Sequence, residues 1–524
     1  MSSHEYSIAE APARLGPVPE PSAQLSKWLF VSLAAELILL TIIRLPYGLE
    51  FDAFAFSDIG SNFTIQHLVS LGLRPGVDFG DPYGLLPILS GKIWFSVFGM
   101  TPIAYQAAML ACGLVIVWAL AQIATSLQFR TFGIAILVIG LGFAIQVSYP
   151  NLAHIMESAL LALALSAHAG GNRNTALAFT CAGLFCKPSM SYVYGLVLVI
   201  LIAMELRRSR ASLSDFVRAF APAAITGTVL LVMFAILYSP ASAIRTLFPL
   251  QGISTYHDQN FGFFLGVGRS FWNPPNQPWL FYLIDFSGFW NAGSIFLVVC
   301  GVIAAIHWYR HIELTVLERQ RDEILWTCAI LHLAFIFFFF GNKWSWICYS
   351  FILILGIAAA ADFTPMNRRL ALLLCILGLS SWIGRGRIIA EYWRDRAPSP
   401  ITAGLWAPHD ETLEWRNARA LAHGQRAILL ETKGAAGLIF PEFALPVALY
   451  LDPGLMQPSE IERQVKQLGD ADIVVVCVSD NVAPVSQGIP KAPEIERAMM
   501  SFERISSGKY LEVYRRRGLK ASGH

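Results

Sequence analysis

DAFAFSDIGSNFTIQHLVSLGLRPGVDFGDPYGLLPILSGKIWFSVFGMTP, residues Asp52 to Pro102, is the stretch whose reading decides the fold. It holds four aspartates, Asp52, Asp58, Asp78 and Asp81, between a first apolar segment and a series of longer ones. Phe63, Leu68, Val69, Leu71 and Leu73 mark one apolar helical face after Asp58, and Leu85 to Phe98 forms a second helical piece after Pro82. A carboxylate-rich loop tied by amphipathic helices to an apolar bundle suits an enzyme working at a membrane surface.

The totals agree with a membrane setting. The chain has 524 residues, 55% hydrophobic and only 14% charged, with a mean hydropathy of +0.53. Soluble domains carry roughly 25% charged residues, so the composition is that of a polytopic membrane protein. A net charge of +2 leaves no nucleic-acid footprint. The eight cysteines form no CxxC pair, and all but Cys477 fall in apolar segments, which supports neither a zinc site nor a disulfide framework. Residues 1–24 are polar and rich in Pro and Ala, unlike a signal peptide, and read as a cytoplasmic tail before a retained anchor.

Taken in order, the first helix covers roughly Leu25 to Leu45, close to the ~20 residues that a bilayer needs. Glu36 near its middle is either a functional carboxylate or one hydrogen-bonded inside the bundle. Leu85–Phe98 is short and carries Lys92 centrally, so it reads as an interfacial helix. Spans follow at about 103–126, 132–149 and 151–168; the region 175–205 breaks at Lys187-Pro188 into two short helices. Further spans are expected at about 215–239, 278–305, 324–340, 344–361 and 369–387. Arginine is concentrated in alternate loops: Arg130, Arg173, Arg207, Arg208, Arg210, Arg218, Arg310, Arg319, Arg321, Arg368 and Arg369 face only Arg74, Lys92, Lys187, Arg245, Arg269 and Lys343. That bias places the N-terminus in the cytoplasm and the aspartate loop outside, with about eleven transmembrane helices across 25–390.

Beyond Trp393, over 391–524, charge rises and a small soluble α/β domain is expected on the side of the aspartate loop. Its strands are read at Ala427–Leu430, Pro446–Leu451, Ile473–Val478 and Lys509–Arg515, and its helices at 410–423, 459–468 and 492–504. Ser459 with Glu462 matches a capping box for the middle helix. Neither GxGxxG nor a P-loop is present, so nucleotide binding is not indicated.

This layout resembles the GT-C superfamily of integral-membrane glycosyltransferases, which includes the bacterial lipid A aminoarabinose transferases and the protein O-mannosyltransferases. The resemblance rests on the order of degenerate motifs: Asp58-Ile59-Gly60, Leu71-Gly72, Asp78-Phe79-Gly80-Asp81-Pro82-Tyr83 and Phe98-Gly99. It continues with Glu157 in NLAHIMESALLALAL, with Gly183-Leu184-Phe185-Cys186-Lys187-Pro188, and with the DIVVV and KYLEVYRR segments of the C-terminal domain. One departure is Ile59, which stands where many relatives have Glu. A second carboxylate at the site then falls to Asp81 or Glu157, or is missing. The resemblance leaves room for a divalent metal held by Asp58, Asp81 and Glu157 without requiring one.

The resemblance implies an inverting transfer of a sugar from a polyprenyl-phosphate-linked donor to an acceptor hydroxyl. The acceptor would be lipid A or another glycolipid before a polysaccharide or protein, on the periplasmic face of a bacterial inner membrane. Such a reaction needs a base for the acceptor proton, cations for the departing phosphate, and the two substrates held in line. Asp58 is assigned as the base; its plainer alternative is to cap a helix beginning at Ile59. Lys187 and Arg269 are assigned to the donor phosphate, although a lysine snorkelling to the interface is the ordinary rival for Lys187. Asp81, Glu157 and His257 support the site. Asp78 reads as a turn residue, Asp52 as an exposed contact and His154 as a packed histidine. Residues 240–277 form an outside loop long enough to act as a lid. Asn62-Phe63-Thr64 matches the N-glycosylation sequon but reads as fortuitous in a bacterial chain. Two rivals stand beside the enzyme: a transporter or flippase for lipid-linked sugars, and a non-catalytic scaffold of the same fold. Internal repeats and helices broken at mid-membrane would mark the transporter.

Overall fold

The computed structural model describes residues 23–45, 53–81, 83–146, 151–210, 212–248, 286–310, 314–339, 346–361, 365–402, 404–430, 440–445, 447–448, 456–478, 489 and 492–518. It is predominantly helical up to Asp395. Helix α1 (Ala23–Ile43) is followed by α2 (Ala53–Ser70), α3 (Leu85–Phe98), α4 (Pro102–Ser126), α5 (Thr131–Gln146) and α6 (Leu152–Ala169). Next come α7 (Arg173–Leu184), α8 (Met190–Arg208), α9 (Leu213–Leu237) and α10 (Pro240–Leu247). The bundle closes with α11 (Phe286–Arg310), α12 (Val316–Phe339), α13 (Trp346–Ala361) and α14 (Pro365–Asp395). Among the described residues, six helical stretches are long and apolar enough to cross a membrane: Leu25–Ile43, Pro102–Ser126, Leu152–Ala169, Met190–Arg208, Leu213–Leu237 and Ala292–Arg310. They make the chain a multi-pass helical membrane protein. Leu85–Phe98, at 14 residues, is too short to cross, in keeping with its reading as something other than a span.

Small residues let the helices approach. A Cβ at Gly301 of α11 would lie 2.3 Å from the Ala329 Cβ of α12, and one at Gly356 of α13 would meet Leu297 of α11 at 2.4 Å. Between α7 and α8 the chain breaks at residues 185–189, as Lys187-Pro188 demands, because proline supplies no N–H to continue a helix. Of the two short helices expected there only α7 is short, since α8 runs 19 residues to Arg208 and is long enough to cross a membrane.

Two corrections concern the ends of α2. Helix α2 begins at Ala53, so Asp58 lies inside it and is not its N-cap. The same helix ends where Gly72 adopts φ +79°: the Gly72 N–H bonds Val69 O at 3.0 Å and the Leu73 N–H bonds Leu68 O at 3.2 Å. This left-handed glycine closure explains why Leu71, expected on the apolar face, is exposed.

The C-terminal unit is an α/β sandwich. Strand β1 (Arg396–Pro398) pairs antiparallel with β2 (Trp406–Pro408), and helix α15 (His409–Ala422) follows. Then come β3 (Ala427–Leu430), β4 (Phe443–Ala444), α16 (Pro458–Asp470), β5 (Ile473–Cys477), α17 (Pro493–Met499), β6 (Phe502–Ser507) and β7 (Leu511–Arg516). The sheet order is β4-β3-β5-β7-β6, with β3 parallel to β4 and β5, and β7 antiparallel to β5 and β6. Every residue of β3 and β5 is buried. Ile428, Leu430, Val474 and Val476 pack with Leu468 and Ile495, while Leu429 and Val475 share a cluster with Trp415, so both faces are covered. The helix expected over 492–504 stops at Met499, and Phe502–Ser507 is an edge strand. Val447 and Ala448 are not in a strand; the rest of Pro446–Leu451 other than these two lies outside the described residues. The capping box of α16 joins Gln457 to Glu460 rather than Ser459 to Glu462, because Pro458 sits at the first helical position.

Candidate functional site

Residues 74–81 form a tight turn after α2. The Arg74 N–H and Nε both donate to Asp78 Oδ2 at 2.8 Å, and this guanidinium hydrogen bond holds the Asp78 carboxyl below the usual range. Asp78 is therefore a turn residue, as expected. Asp81 differs. Its Oδ1 accepts the Tyr83 N–H at 2.9 Å, but its Oδ2 is buried with no partner among the described residues. Burial pushes the Asp81 carboxyl up to about 7, reinforced by the nearby Glu460 and opposed by the Tyr83 N–H.

Immediately after it, Gly84 packs flat against the turn between α7 and α8. Its N–H bonds Cys186 O at 2.8 Å, and the Leu86 N–H bonds Phe185 O at 2.8 Å. A Cβ at position 84 would lie 2.1 Å from Phe185 O, so only glycine permits this approach. The aspartate segment and the Lys187 turn are thereby one unit. Tyr83 extends it: its hydroxyl accepts from Asn151 Nδ2 at 2.7 Å, and Asn151 Oδ1 caps α6 by accepting the Ala153 and His154 N–H groups. Tyr105 is a second tie, since its hydroxyl accepts from Asn62 of α2 at 3.1 Å and from the Leu152 N–H at 2.8 Å.

Lys187 points at His154. Its Nζ lies 2.9 Å from His154 Nε2 and 3.2 Å from Nδ1, with the imidazole buried beside Tyr83 and Tyr349. A ring nitrogen accepting from an ammonium must be unprotonated, so His154 serves Lys187 as an acceptor. Sequence reasoning set His154 aside as packing; its position one turn before Glu157 was the available signal. Glu157 itself is fully buried and heavily bonded. Ser189 Oγ donates to Oε2 at 2.6 Å, Tyr349 Oη donates to the same oxygen, and the Ser191 N–H and Oγ both donate to Oε1 at 2.9 Å. Glu157 thus caps the N-terminus of α8, where a carboxylate meets otherwise orphaned N–H groups and the positive end of the helix dipole. Lys187 lies within its electrostatic reach.

From the other domain, α16 closes over the turn. Ser459 Oγ and Arg463 Nη2 donate to Asp78 O at 2.8 and 2.7 Å, and the Gly80 N–H donates to Glu460 Oε2 at 2.9 Å. The C-terminal unit and the aspartate segment are thus in direct contact.

The structure therefore brings Asp81, Lys187 and Glu157 into one connected region. Asp58 lies on α2 by its backbone, with its side chain outside the described residues. His257, Arg269 and Asp52 also lie outside the described residues. As for a divalent metal, no group of three or more His, Cys, Asp or Glu among the described residues is arranged to hold one. Both oxygens of Glu157 are occupied by donors, so it does not fit that role. Glu36, in α1, is half-buried, and its Oε2 has no partner among the described residues. No family model, curated protein or solved structure matches the chain.

Proposed function

We propose that this protein is an inverting glycosyltransferase of the GT-C type, moving a sugar from a polyprenyl-phosphate donor to an acceptor hydroxyl. We place it in a bacterial inner membrane with about eleven crossings, the N-terminus cytoplasmic and the C-terminal domain periplasmic. One observation carries most of the support: the backbone bonds from Gly84 and Leu86 to Cys186 and Phe185 lock the segment that carries Asp81 onto a lysine turn at a helix break. A carboxylate region fixed beside a cation is what a base and a phosphate ligand need if they are to act on the two ends of one displacement.

In this reading the acceptor oxygen attacks the anomeric carbon and its proton passes to the Asp58 carboxylate. The bond from that carbon to the donor phosphate oxygen breaks, and its electron pair leaves with the lipid phosphate. The Lys187 ammonium stabilises that phosphate, and His154 aims the ammonium by accepting one of its protons. Glu157 acts indirectly, by fixing the start of α8 and hence the lysine turn. Lipid A or another glycolipid is the favoured acceptor, with the donor's apolar tail between helices.

Mass spectrometry of lipid extracts tests this in cells with the gene deleted, restored, and restored as Asp58→Asn. The expected result is a glycolipid lacking one sugar in the deletion and in the Asn strain, with the lipid-linked donor accumulating. Full glycosylation in an Asp58→Asn strain would remove that residue from its role. Unchanged lipids in the deletion would refute a glycolipid acceptor and move the search to glycoproteins and polysaccharide.

A further inference from the structure

At the end of the bundle away from the aspartate segment, three helices converge on one indole. Arg208, the last residue of α8, places its guanidinium carbon 5.4 Å from the centre of the Trp308 ring, in the last turn of α11. Arg319, in the first turn of α12, places its own at 5.3 Å. Two like charges on one ring repel unless an anion joins them. Among the described residues no carboxylate forms an ion pair with either arginine, because the nearby acids are engaged elsewhere. Glu205 pairs with Arg173, Glu323 with Arg173 and with His168, and Asp322 with His307 at 2.6 Å. Glu318 accepts from Thr315 at 2.7 Å. Two further donors stand idle at the same spot: Trp308 Nε1 and Trp326 Nε1 are buried without partners, their rings 5.9 Å apart.

We propose that Arg208, Arg319 and Trp308 form a site for the phosphodiester of an anionic phospholipid. An all-donor constellation calls for an oxyanion, and planar guanidiniums stacked on an aromatic ring remain free to bind phosphate through their edges. A lipid fits better than a free ion because α8 and α11 are apolar along their lengths and end at these residues. Leu196, Ile200, Val299, Ile303 and Ile306 on those helices are exposed, a surface for acyl chains leading to the arginines. Basic pockets between membrane helices bind anionic headgroups in this way. The assignment is independent of the reaction proposed above.

Native mass spectrometry of the full chain in detergent tests it, with dioleoyl phosphatidylglycerol against dioleoyl phosphatidylcholine. At about a factor of five per arginine, wild type should bind one phosphatidylglycerol roughly 30-fold more tightly than phosphatidylcholine. Arg208→Gln, at an exposed helix terminus, should reduce that preference about fivefold. Arg208→Gln/Arg319→Gln should abolish it, and Trp308→Phe should retain most of it. Equal binding of the two lipids by wild type, or an undiminished preference in Arg208→Gln, overturns the proposal. A parallel thermal-shift arm adds millimolar inorganic phosphate; no shift is expected. A shift by inorganic phosphate that disappears in the double variant would make this a free-phosphate site and overturn the lipid assignment.

Discussion

Replacing Asp81 by Asn will make the protein more stable above neutrality and remove a slope from its pH profile. Asp81 is buried, with one oxygen unpartnered among the described residues, and its carboxyl is pushed from 3.8 to about 7. The folded state therefore holds a proton between about pH 4 and 7 that the unfolded chain releases. For an acid with a raised pKa, that stability is fully present below the unfolded value and is lost as pH rises through the folded one. The shift corresponds to on the order of 4 kcal/mol, at ~1.4 kcal/mol per pH unit across that window. Asparagine has the shape of the neutral acid and no titration, so the two proteins should differ least near pH 4 and most at pH 8. The assay is thermal unfolding in detergent, read with a thiol-reactive dye. Cys186 and Cys328 are buried and free, and become reactive when the bundle opens. Parallel profiles for the two proteins from pH 5 to 8 would show that Asp81 keeps its charge in the folded state and would refute the burial argument.

The other outcomes follow from the same contacts. Gly84→Ala forces a Cβ onto Phe185 O and should cost about 1–3 kcal/mol, with Cys186 labelling faster under native conditions. Glu157→Ala strands the Ser189, Ser191 and Tyr349 donors and removes a carboxylate within electrostatic reach of Lys187; a loss of roughly 3–5 kcal/mol in the same unfolding assay is expected. Arg463→Ala removes bonds to the Asp78 and Val447 carbonyls, worth about 1 kcal/mol each, and should speed limited proteolysis at the α14–β1 junction.

Much of the bundle is visible in the sequence because membrane helices announce themselves locally. Leu85–Phe98 and the break at Lys187-Pro188 appear where hydropathy and proline put them. What was misread depends on choices that local pattern leaves open. Asp58 is a favoured capping residue, yet Ala53 to Phe56 are apolar enough to carry the helix back past it. Ile495, Met499 and Phe502 recur at helical spacing, so the strand starting at Phe502 reads as one more turn of helix. Ser459 and Gln457 each have a glutamate three residues on, and proline at 458 decides between them. Of the candidate site, Asp81, Glu157 and Lys187 stand out in the sequence by residue type, order and the family resemblance. The contact of Lys187 with His154, the flat seat of Gly84 and the docking of α16 were not, because each joins segments far apart in sequence.

The last helix of the bundle has a mechanical consequence. Helix α14 runs for 31 residues, about 46 Å, and passes straight into β1 with no linker. Its end is fastened by Trp393, which donates to Ile43 O at 2.8 Å and packs on Trp406. A second domain on a flexible tether meets its docking surface at a modest effective concentration and spends time away from it. Here the tether has no slack, so the few hydrogen bonds from α16 to residues 78–80 close an already assembled ring. Lifting α16 away means bending the junction at Asp395–Arg396 and moving the whole domain.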